Sequence, residues 1–291
     1  MQRIGRFAPS PTGDLHFGSL VAAVASFLQA RSSGGQWLIR VEDIDPPREI
    51  AGSADRILQD LQRFEMRSDQ PVLFQNQRSE AYRLAITDLL DRGLAYWCGC
   101  SRSELPPSGV YPGTCRNGLP KDKSPRSVRL RVGDEPVGFT DLVQGHIEDN
   151  LLESVGDFVI RRADGLAAYQ LAVVVDDAFQ GVTEIVRGAD LLSSTTRQIH
   201  LQKCLGLATP VYAHHPVATG PDDQKLSKRL GSDPISSLPP SQVLKMALSF
   251  LGQPSPDGLS YKELQGWAID NWRLSRIPRS DNVVIDSLSA K

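Results

Sequence analysis

Two kinds of apolar segment alternate along the first ninety residues of the chain. Residues 4–7 and 36–42 are short apolar runs, which are typical of buried strands. Residues 18–30 are apolar almost all round and rich in Ala and Leu, which predicts a helix buried against a sheet. Two further segments carry apolar residues at helical spacing, namely 53–64 and 79–90. This alternation of strand and helix predicts an α/β fold with a parallel sheet.

The pattern changes at Gly93 and returns near residue 157. Residues 94–156 hold several prolines and only short alternating pieces, such as 128–132 and 145–148, so they predict an inserted, loop-rich lobe. We expect the sheet to resume after this lobe in four strands, of which the second is continuous enough to be a central parallel strand. The four segments are 157–161, 171–176, 183–188 and 211–213.

Two helices, at 241–251 and 261–273, are predicted near the end of the chain. The chain is therefore expected to contain a discontinuous α/β domain, the inserted lobe and a short C-terminal helical region. In that order, these parts span 1–93 with 157–235, 94–156, and 236–291.

Composition describes a globular protein without a strong charge. The 291 residues are 40% hydrophobic, and 32 basic against 34 acidic residues give a net charge of −2. This balance does not indicate nucleic-acid binding, so any basic surface must be local. No apolar run approaches the roughly 20 residues of a membrane helix, and the first residues lead straight into a strand without a signal-like apolar region. We expect a cytoplasmic protein.

The turn between the first strand and the first helix carries candidate chemistry. His16, Gly18 and Ser19 stand where the helix begins, and the unpaired backbone amides there favour a nucleotide phosphate. A His before a Gly at a helix start is also common without any ligand, so the turn alone leaves both interpretations open. Far downstream, Lys225 and Lys228 lie in a loop rich in Gly, Pro and Asp, where a charge run is usually a solvated surface.

Carboxylates follow the second predicted strand, where ligands of open α/β sheets bind. Glu42 is a candidate partner for a cationic group, whereas Asp43 and Asp45 are expected to cap the turn and the next helix. The second half of the sheet is expected to bring further polar groups to the same region: Tyr169, Asp176, Asp177 and Arg187. An arginine at a strand end is otherwise most often a surface ion-pair partner. The neighbouring His214 and His215 lack further ligands nearby, which argues against a metal there.

Cysteines in the predicted lobe indicate a metal site. Cys98, Cys100 and Cys115 lie in a stretch of 18 residues within this lobe. Because the lobe has little apolar content, it needs a cross-link or a metal ion to hold it together, and a cytoplasmic location argues against a disulfide. Zinc requires four ligands, and the alternative is three plain thiols. Cys204 lies on a helical stretch and is expected in the core. The candidates for the fourth ligand are Tyr111, Glu104, Asp122, His146 or water.

Two of these stretches together resemble the paired signatures of class I aminoacyl-tRNA synthetases, with 16–18 in place of the HIGH signature and 225–229 in place of KMSKS. The resemblance extends to the catalytic core of glutamyl-tRNA synthetases through five segments: 6–13, 40–45, 169–177, 186–190 and 225–229. Only 62 residues follow Arg229, too few for the anticodon-binding region of the full-length enzymes, and Ala189 stands where those enzymes usually carry Glu. Both departures, with the cysteine cluster, are similar to a truncated paralogous family, the glutamyl-queuosine tRNA(Asp) synthetases.

The resemblance implies a class I synthetase of Rossmann type with a zinc-binding lobe and without an anticodon-binding domain. It implies ATP-dependent activation of L-glutamate to glutamyl-adenylate, followed by transfer to the queuosine base at the wobble position of tRNA(Asp). A minimal glutamyl-tRNA synthetase that charges a tRNA 3′ end and a non-catalytic RNA-binding relic are the alternatives. The expected ions are one structural Zn2+ and Mg2+ with ATP, and the expected state is a monomer without membrane contact.

The resemblance also assigns residues. It places glutamate at Arg6, Ala8, Ser10, Glu42, Tyr169 and Arg187. It places ATP at His16, Gly18, Ser19 and Lys228, with catalytic roles for His16, Lys225 and Lys228. It places zinc on Cys98, Cys100, Tyr111 and Cys115, and Tyr111 as a ligand follows from the resemblance alone.

Overall fold

A computed structural model describes residues 2–219, 235 and 238–284 of the chain. Its first half is the predicted alternation of strands and helices. Strands β1 (Ile4–Phe7), β2 (Gln36–Val41) and β3 (Leu73–Phe74) form a parallel sheet in that order. The connecting helices are α1 (Phe17–Ser32) and α2 (Ser53–Arg63), and α3 (Ser79–Asp91) follows β3. The predicted α/β class with parallel strands is confirmed.

A second parallel pair lies beside β1. Strands β9 (Glu184–Gly188) and β10 (Val211–His215) pair in parallel and are joined by α6 (Leu192–Leu205). The backbone N–H of Thr183 donates to the Ile4 carbonyl at 2.9 Å, so this pair continues from β1. Both predicted strands, 183–188 and 211–213, are confirmed.

The central strand predicted at 171–176 is wrong, because this segment lies in helix α5 (Tyr169–Phe179). The helix is buried on most sides, and its Leu171 and Val174 belong to an apolar cluster with Leu130, Ile185 and Tyr212, here called the second apolar cluster. Burial on most sides gives a helix the same continuous apolar run as a central strand, and periodicity cannot then separate the two.

The residues of the predicted lobe form two small antiparallel sheets, the first of them together with the strand that follows the lobe. One joins β4 (Ala95–Cys98), β5 (Ser127–Leu130) and β8 (Phe158–Arg161), and a short helix α4 (Leu151–Ser154) precedes β8. The other is the hairpin of β6 (Val137–Asp141) and β7 (Gly145–Asp149). The expectation that 157–161 resumes the parallel sheet is wrong, because β8 pairs with β5; its apolar pattern reports burial and not the partner strand. The division of the chain into domains stays a prediction.

The last helices pack against the first. Helices α7 (Pro240–Phe250) and α8 (Tyr261–Asn271) confirm the two predicted ones, and Phe250 meets Phe17 edge to face with ring centroids 6.0 Å apart. The C-terminal region is not purely helical, since β12 (Asn282–Val284) pairs in parallel with β11 (Val217–Thr219). Within the ranges that the structure describes, no helix combines the length and apolar character of a membrane span.

Candidate functional site

A cavity of about 940 Å³ opens at the carboxyl ends of β1, β2, β9 and β10. This is the edge where ligands of open α/β sheets bind. The predicted glutamate and ATP residues that the structure describes all line it: Arg6, Ala8, Ser10, His16, Gly18, Ser19, Glu42, Tyr169 and Arg187. Tyr169 does so from the first turn of α5 and not from a strand. Lys225 and Lys228 lie outside the described residues.

Beneath the cavity runs a chain of four alternating buried charges. Arg6 Nε and Arg40 Nη1 both donate to Asp177 Oδ1, at 3.2 and 2.6 Å. Arg40 Nη2 donates in turn to Glu42 Oε1 at 3.3 Å. All four side chains are no more than 8% exposed, and their charges sum to zero. Such alternation is what allows charges to be buried together, because each one has an opposite neighbour.

Arg40 was not among the site residues predicted from the sequence, and no partner was predicted for Asp177. A signal was present, because an arginine within an otherwise apolar strand must find a counterion when the strand is buried. The position of that counterion, 137 residues further along the chain, was not readable from the pattern.

The two acids of this chain of charges differ in their tendency to ionise. Burial raises the pKa of Glu42, despite the opposing influence of Arg40 and Arg6. Burial alone would also raise the pKa of Asp177, but Arg40 and Arg6 outweigh it and hold that pKa below its ordinary value. Asp177 therefore stays ionised as the counterion of the two arginines. Glu42 lines the cavity, where a cationic ligand would favour its ionised form.

Arg187 is held on three of its guanidinium hydrogens. Its Nε donates to His214 Nε2 at 3.0 Å, and its Nη2 donates to Thr195 Oγ1 and Gln198 Oε1, both at 2.8 Å. The buried Nη1 has no partner among the described residues, and the side chain lines the cavity. Arg187 is thus not a surface ion-pair partner. It is a buried cation with one nitrogen available for the carboxylate of a ligand.

The start of α1 faces the same cavity. His16 is the N-cap residue, and its Nδ1 accepts from the backbone N–H of Ser19 at 3.3 Å, while Nε2 lies 2.8 Å from Ser19 Oγ. A Cβ on residue 18 would stand 3.3 Å from the His16 ring, so Gly18 leaves room for this cap. The amides and the positive end of a helix 16 residues long suit a phosphate group.

The three cysteines of the lobe form one cluster. Their sulfurs lie within 4.8 Å of one another, with Cys100 and Cys115 at 3.6 Å, and the Tyr111 hydroxyl lies 3.4 Å from Cys98 Sγ. Four ligands at tetrahedral Zn–S distances of about 2.3 Å lie roughly 3.8 Å apart, so the cluster fits zinc. No other His, Cys, Asp or Glu of the described chain joins it, which leaves out three of the predicted fourth ligands: Glu104, Asp122 and His146.

The surroundings of the cluster favour a thiolate. Burial opposes ionisation of Cys98, but hydrogen bonds from Tyr111 and Arg129 lower its pKa to about 7. Burial and the Cys98 thiol raise the pKa of Tyr111 well above its ordinary value. Arg129, which the sequence analysis did not single out, lies 3.7 Å above the Tyr111 ring and compensates negative charge on the sulfurs.

The other candidate groups serve the fold. Asp43 accepts from the backbone N–H of Asn76 at 2.9 Å, and Asp45 pairs with Arg162 at 2.8 Å, so these acids connect distant segments through contacts other than the predicted caps. Cys204 is half-buried against the second apolar cluster, as predicted.

Comparison with known proteins identifies relatives over nearly the whole chain. A family model described as tRNA synthetases class I (E and Q), catalytic domain, matches residues 4–108 and 115–248. A glutamyl-Q tRNA(Asp) synthetase of Dechloromonas aromatica is 50% identical over 97% of this chain and 97% of its own length. One of Geobacter sulfurreducens is 52% identical over 94% and 93%. In fold, the chain is similar to a glutamate-tRNA synthetase of Elizabethkingia anophelis, with a TM-score of 0.83 at 24% identity over 99% of this chain and 68% of the other.

Proposed function

The chain belongs to the tRNA synthetases of class I (E and Q), and we propose that it is an ATP-dependent ligase that activates L-glutamate and transfers it to queuosine in tRNA(Asp). The names of relatives about 50% identical over nearly their full length support this substrate pair. Arg187 and Glu42 line the same cavity, and the buried Nη1 of Arg187 has no hydrogen-bond partner among the described residues; this is the structural observation that carries the glutamate assignment.

Glutamate carries two carboxylates and one ammonium group, and the cavity offers a complementary set. Arg187 presents a nitrogen to a carboxylate, Arg6 adds a second guanidinium, and Glu42 is the acid for the ammonium group. Tyr169, Ala8 and Ser10 complete the proposed glutamate site. Glutamine would leave the arginine poorly paired, because its amide has no negative charge, so we expect it to be rejected.

Activation is an in-line attack of the glutamate α-carboxylate on the α-phosphate of ATP. An oxygen–phosphorus bond to glutamate forms, the α–β phosphoanhydride bond breaks, and pyrophosphate leaves with the electron pair. The protein mainly positions the reactants and stabilises charge. His16, Gly18 and Ser19 at the start of α1 are proposed to hold the phosphates, with Lys225 and Lys228 neutralising the pyrophosphate and Mg2+ arriving with ATP.

Zinc is proposed as a structural ion of the lobe, held by Cys98, Cys100 and Cys115 with Tyr111 as the fourth ligand. It would tie the end of β4 to the segment that carries Tyr111 and Cys115, within a small apolar cluster. We further propose that the enzyme works as a monomer in the cytoplasm, the compartment where ATP and tRNA are both present.

The test is transfer of labelled glutamate, with ATP, to three RNAs: queuosine-containing tRNA(Asp), queuosine-free tRNA(Asp) and tRNA(Glu). We expect label on the first only, at the modified base when the attachment site is mapped directly. Label on tRNA(Glu) would identify a minimal glutamyl-tRNA synthetase instead. Absence of glutamate-dependent ATP–pyrophosphate exchange would instead support the alternative of a non-catalytic RNA-binding relic.

A further inference from the structure

His214 lies buried between Asp141 and Arg187. Its Nδ1 is 2.6 Å from Asp141 Oδ2, and its Nε2 is 3.0 Å from Arg187 Nε and 3.2 Å from Thr195 Oγ1. The histidine is fully buried, and Asp141 is 2% exposed. Asp141 ends β6, in the hairpin that the Leu142 backbone N–H fixes to the Tyr212 carbonyl on β10 at 2.9 Å. This histidine therefore connects the hairpin of β6 and β7 to Arg187, which lines the cavity.

Arg187 and Asp141 require the same tautomer of the ring, and the Thr195 hydroxyl, which can donate or accept, is compatible with it. An arginine Nε only donates, so His214 Nε2 must accept from Arg187. An ionised carboxylate only accepts, so His214 Nδ1 must carry the hydrogen that Asp141 receives. Burial lowers the pKa of His214, and although Asp141 opposes this, the net direction keeps the ring neutral near pH 7. A protonated ring would place two donors face to face at Arg187.

We propose that Asp141 and His214 are positioning residues, which hold Arg187 with its Nη1 presented to the side-chain carboxylate of glutamate. With Thr195 and Gln198 on Nη2, they fix the guanidinium in one rotation before a ligand arrives. This rests on the proposed function, because the ligand of Nη1 is glutamate. The proposal adds that substrate selection depends on the tautomer of His214, which is set by Asp141 on the hairpin of β6 and β7 and not by a residue that lines the cavity.

Asp141→Asn reverses the tautomer with almost no change in shape. Oδ1 of Asp141 accepts from three backbone N–H groups, those of Val143 and Gln144 at 2.9 Å and of His214 at 3.1 Å. The three donors pin the amide oxygen of the new asparagine at this place, so its NH2 group must face His214 Nδ1. Nδ1 then has to accept and the hydrogen moves to Nε2, which can donate to Thr195 Oγ1 but can no longer accept from Arg187 Nε.

In glutamate-dependent ATP–pyrophosphate exchange, we expect Asp141→Asn to raise the KM for glutamate roughly tenfold to a hundredfold, the loss of one charged hydrogen bond. The KM for ATP and the circular dichroism spectrum should stay at wild-type values. Asp134→Asn, an exposed change on the same lobe, is the matched control and should leave both constants unchanged.

A double-mutant cycle separates tautomer control from general support of the fold. His214→Gln has no tautomer and can turn its amide oxygen toward Arg187, so adding Asp141→Asn to it should raise the KM for glutamate by less than threefold further. Additive effects of the two changes would overturn the proposal, because they would mean that Asp141 acts independently of the ring.

Nitrogen-15 NMR of labelled histidine reads the tautomer directly. The chain has five histidines, and the signal lost in His214→Gln assigns His214. We expect hydrogen on Nδ1 in the wild type and on Nε2 in Asp141→Asn. Hydrogen on Nε2 in the wild type would overturn the proposal, even if Asp141→Asn failed to fold. If the wild type showed the expected tautomer but did not activate glutamate, the proposed function would fail while the positioning of Arg187 stood.

Discussion

Asp177→Asn removes the negative charge that Arg6 and Arg40 share, with almost no change in side-chain volume. Glu42 is then the remaining acid for two buried guanidinium groups, so the chain of four charges changes from neutral to a net charge of +1. The cost is large because all of these groups are out of water, with Arg40 fully buried. Breaking a buried pair by removing one partner costs about 3–5 kcal/mol.

This cost translates into a measurable shift of the melting temperature. The entropy of unfolding is about 2.1 cal/mol/K per residue, hence roughly 0.6 kcal/mol/K for a chain of 291 residues. We therefore expect Asp177→Asn to lower Tm by about 5–8 °C, measured by calorimetry on the ligand-free protein. The KM for glutamate should rise as well, because Arg6 loses its anchor at the cavity.

Asp88→Asn is the matched control. Asp88 also bonds to an arginine, Arg92, at 2.8 Å, but both side chains are about half exposed. Surface pairs of this kind contribute about 0–1 kcal/mol, so the shift in Tm should stay under about 2 °C. If Asp177→Asn melted within 2 °C of Asp88→Asn, burial of the four charges would not have the energetic weight assigned to it.

Three further predictions concern the metal, pH and substrate choice. Cys115→Ala should retain less than a tenth of the zinc of the wild type by mass spectrometry of the metal, whereas Cys204→Ala should retain all of it; equal zinc in both would contradict the site. Burial lowers the pKa of His215 from 6.5 to about 4, so between those values the unfolded chain binds a proton that the folded chain refuses. The free energy of unfolding should therefore fall by about 3 kcal/mol as pH drops through this window, with no such contribution above it. His215→Gln should flatten that part of the curve, and equal slopes would refute the assignment. Arg187→Gln should lower glutamate activation roughly tenfold to a hundredfold, since it removes a charged hydrogen bond to the substrate; equal activation of glutamine and glutamate by the wild type would contradict the role of Arg187.

Local periodicity was sufficient for much of the catalytic core. Strands β1 and β2 and helices α1, α2 and α3 follow the apolar spacing of their own segments, because period and burial are properties of a few neighbouring residues. The cavity residues were likewise predictable from motifs, and the structure brings together every described member of that set. Their roles stay predictions.

The tertiary structure decided what depends on partners far along the chain. The segment 171–176 became a helix and β8 joined the lobe sheet, because an apolar run reports that it is buried and not what covers it. Asp177 reaches Arg40 across 137 residues, and His214 reaches Asp141 across 73. Packing of separate elements creates these contacts, and each stabilises a charge or a tautomer that its own segment cannot stabilise alone.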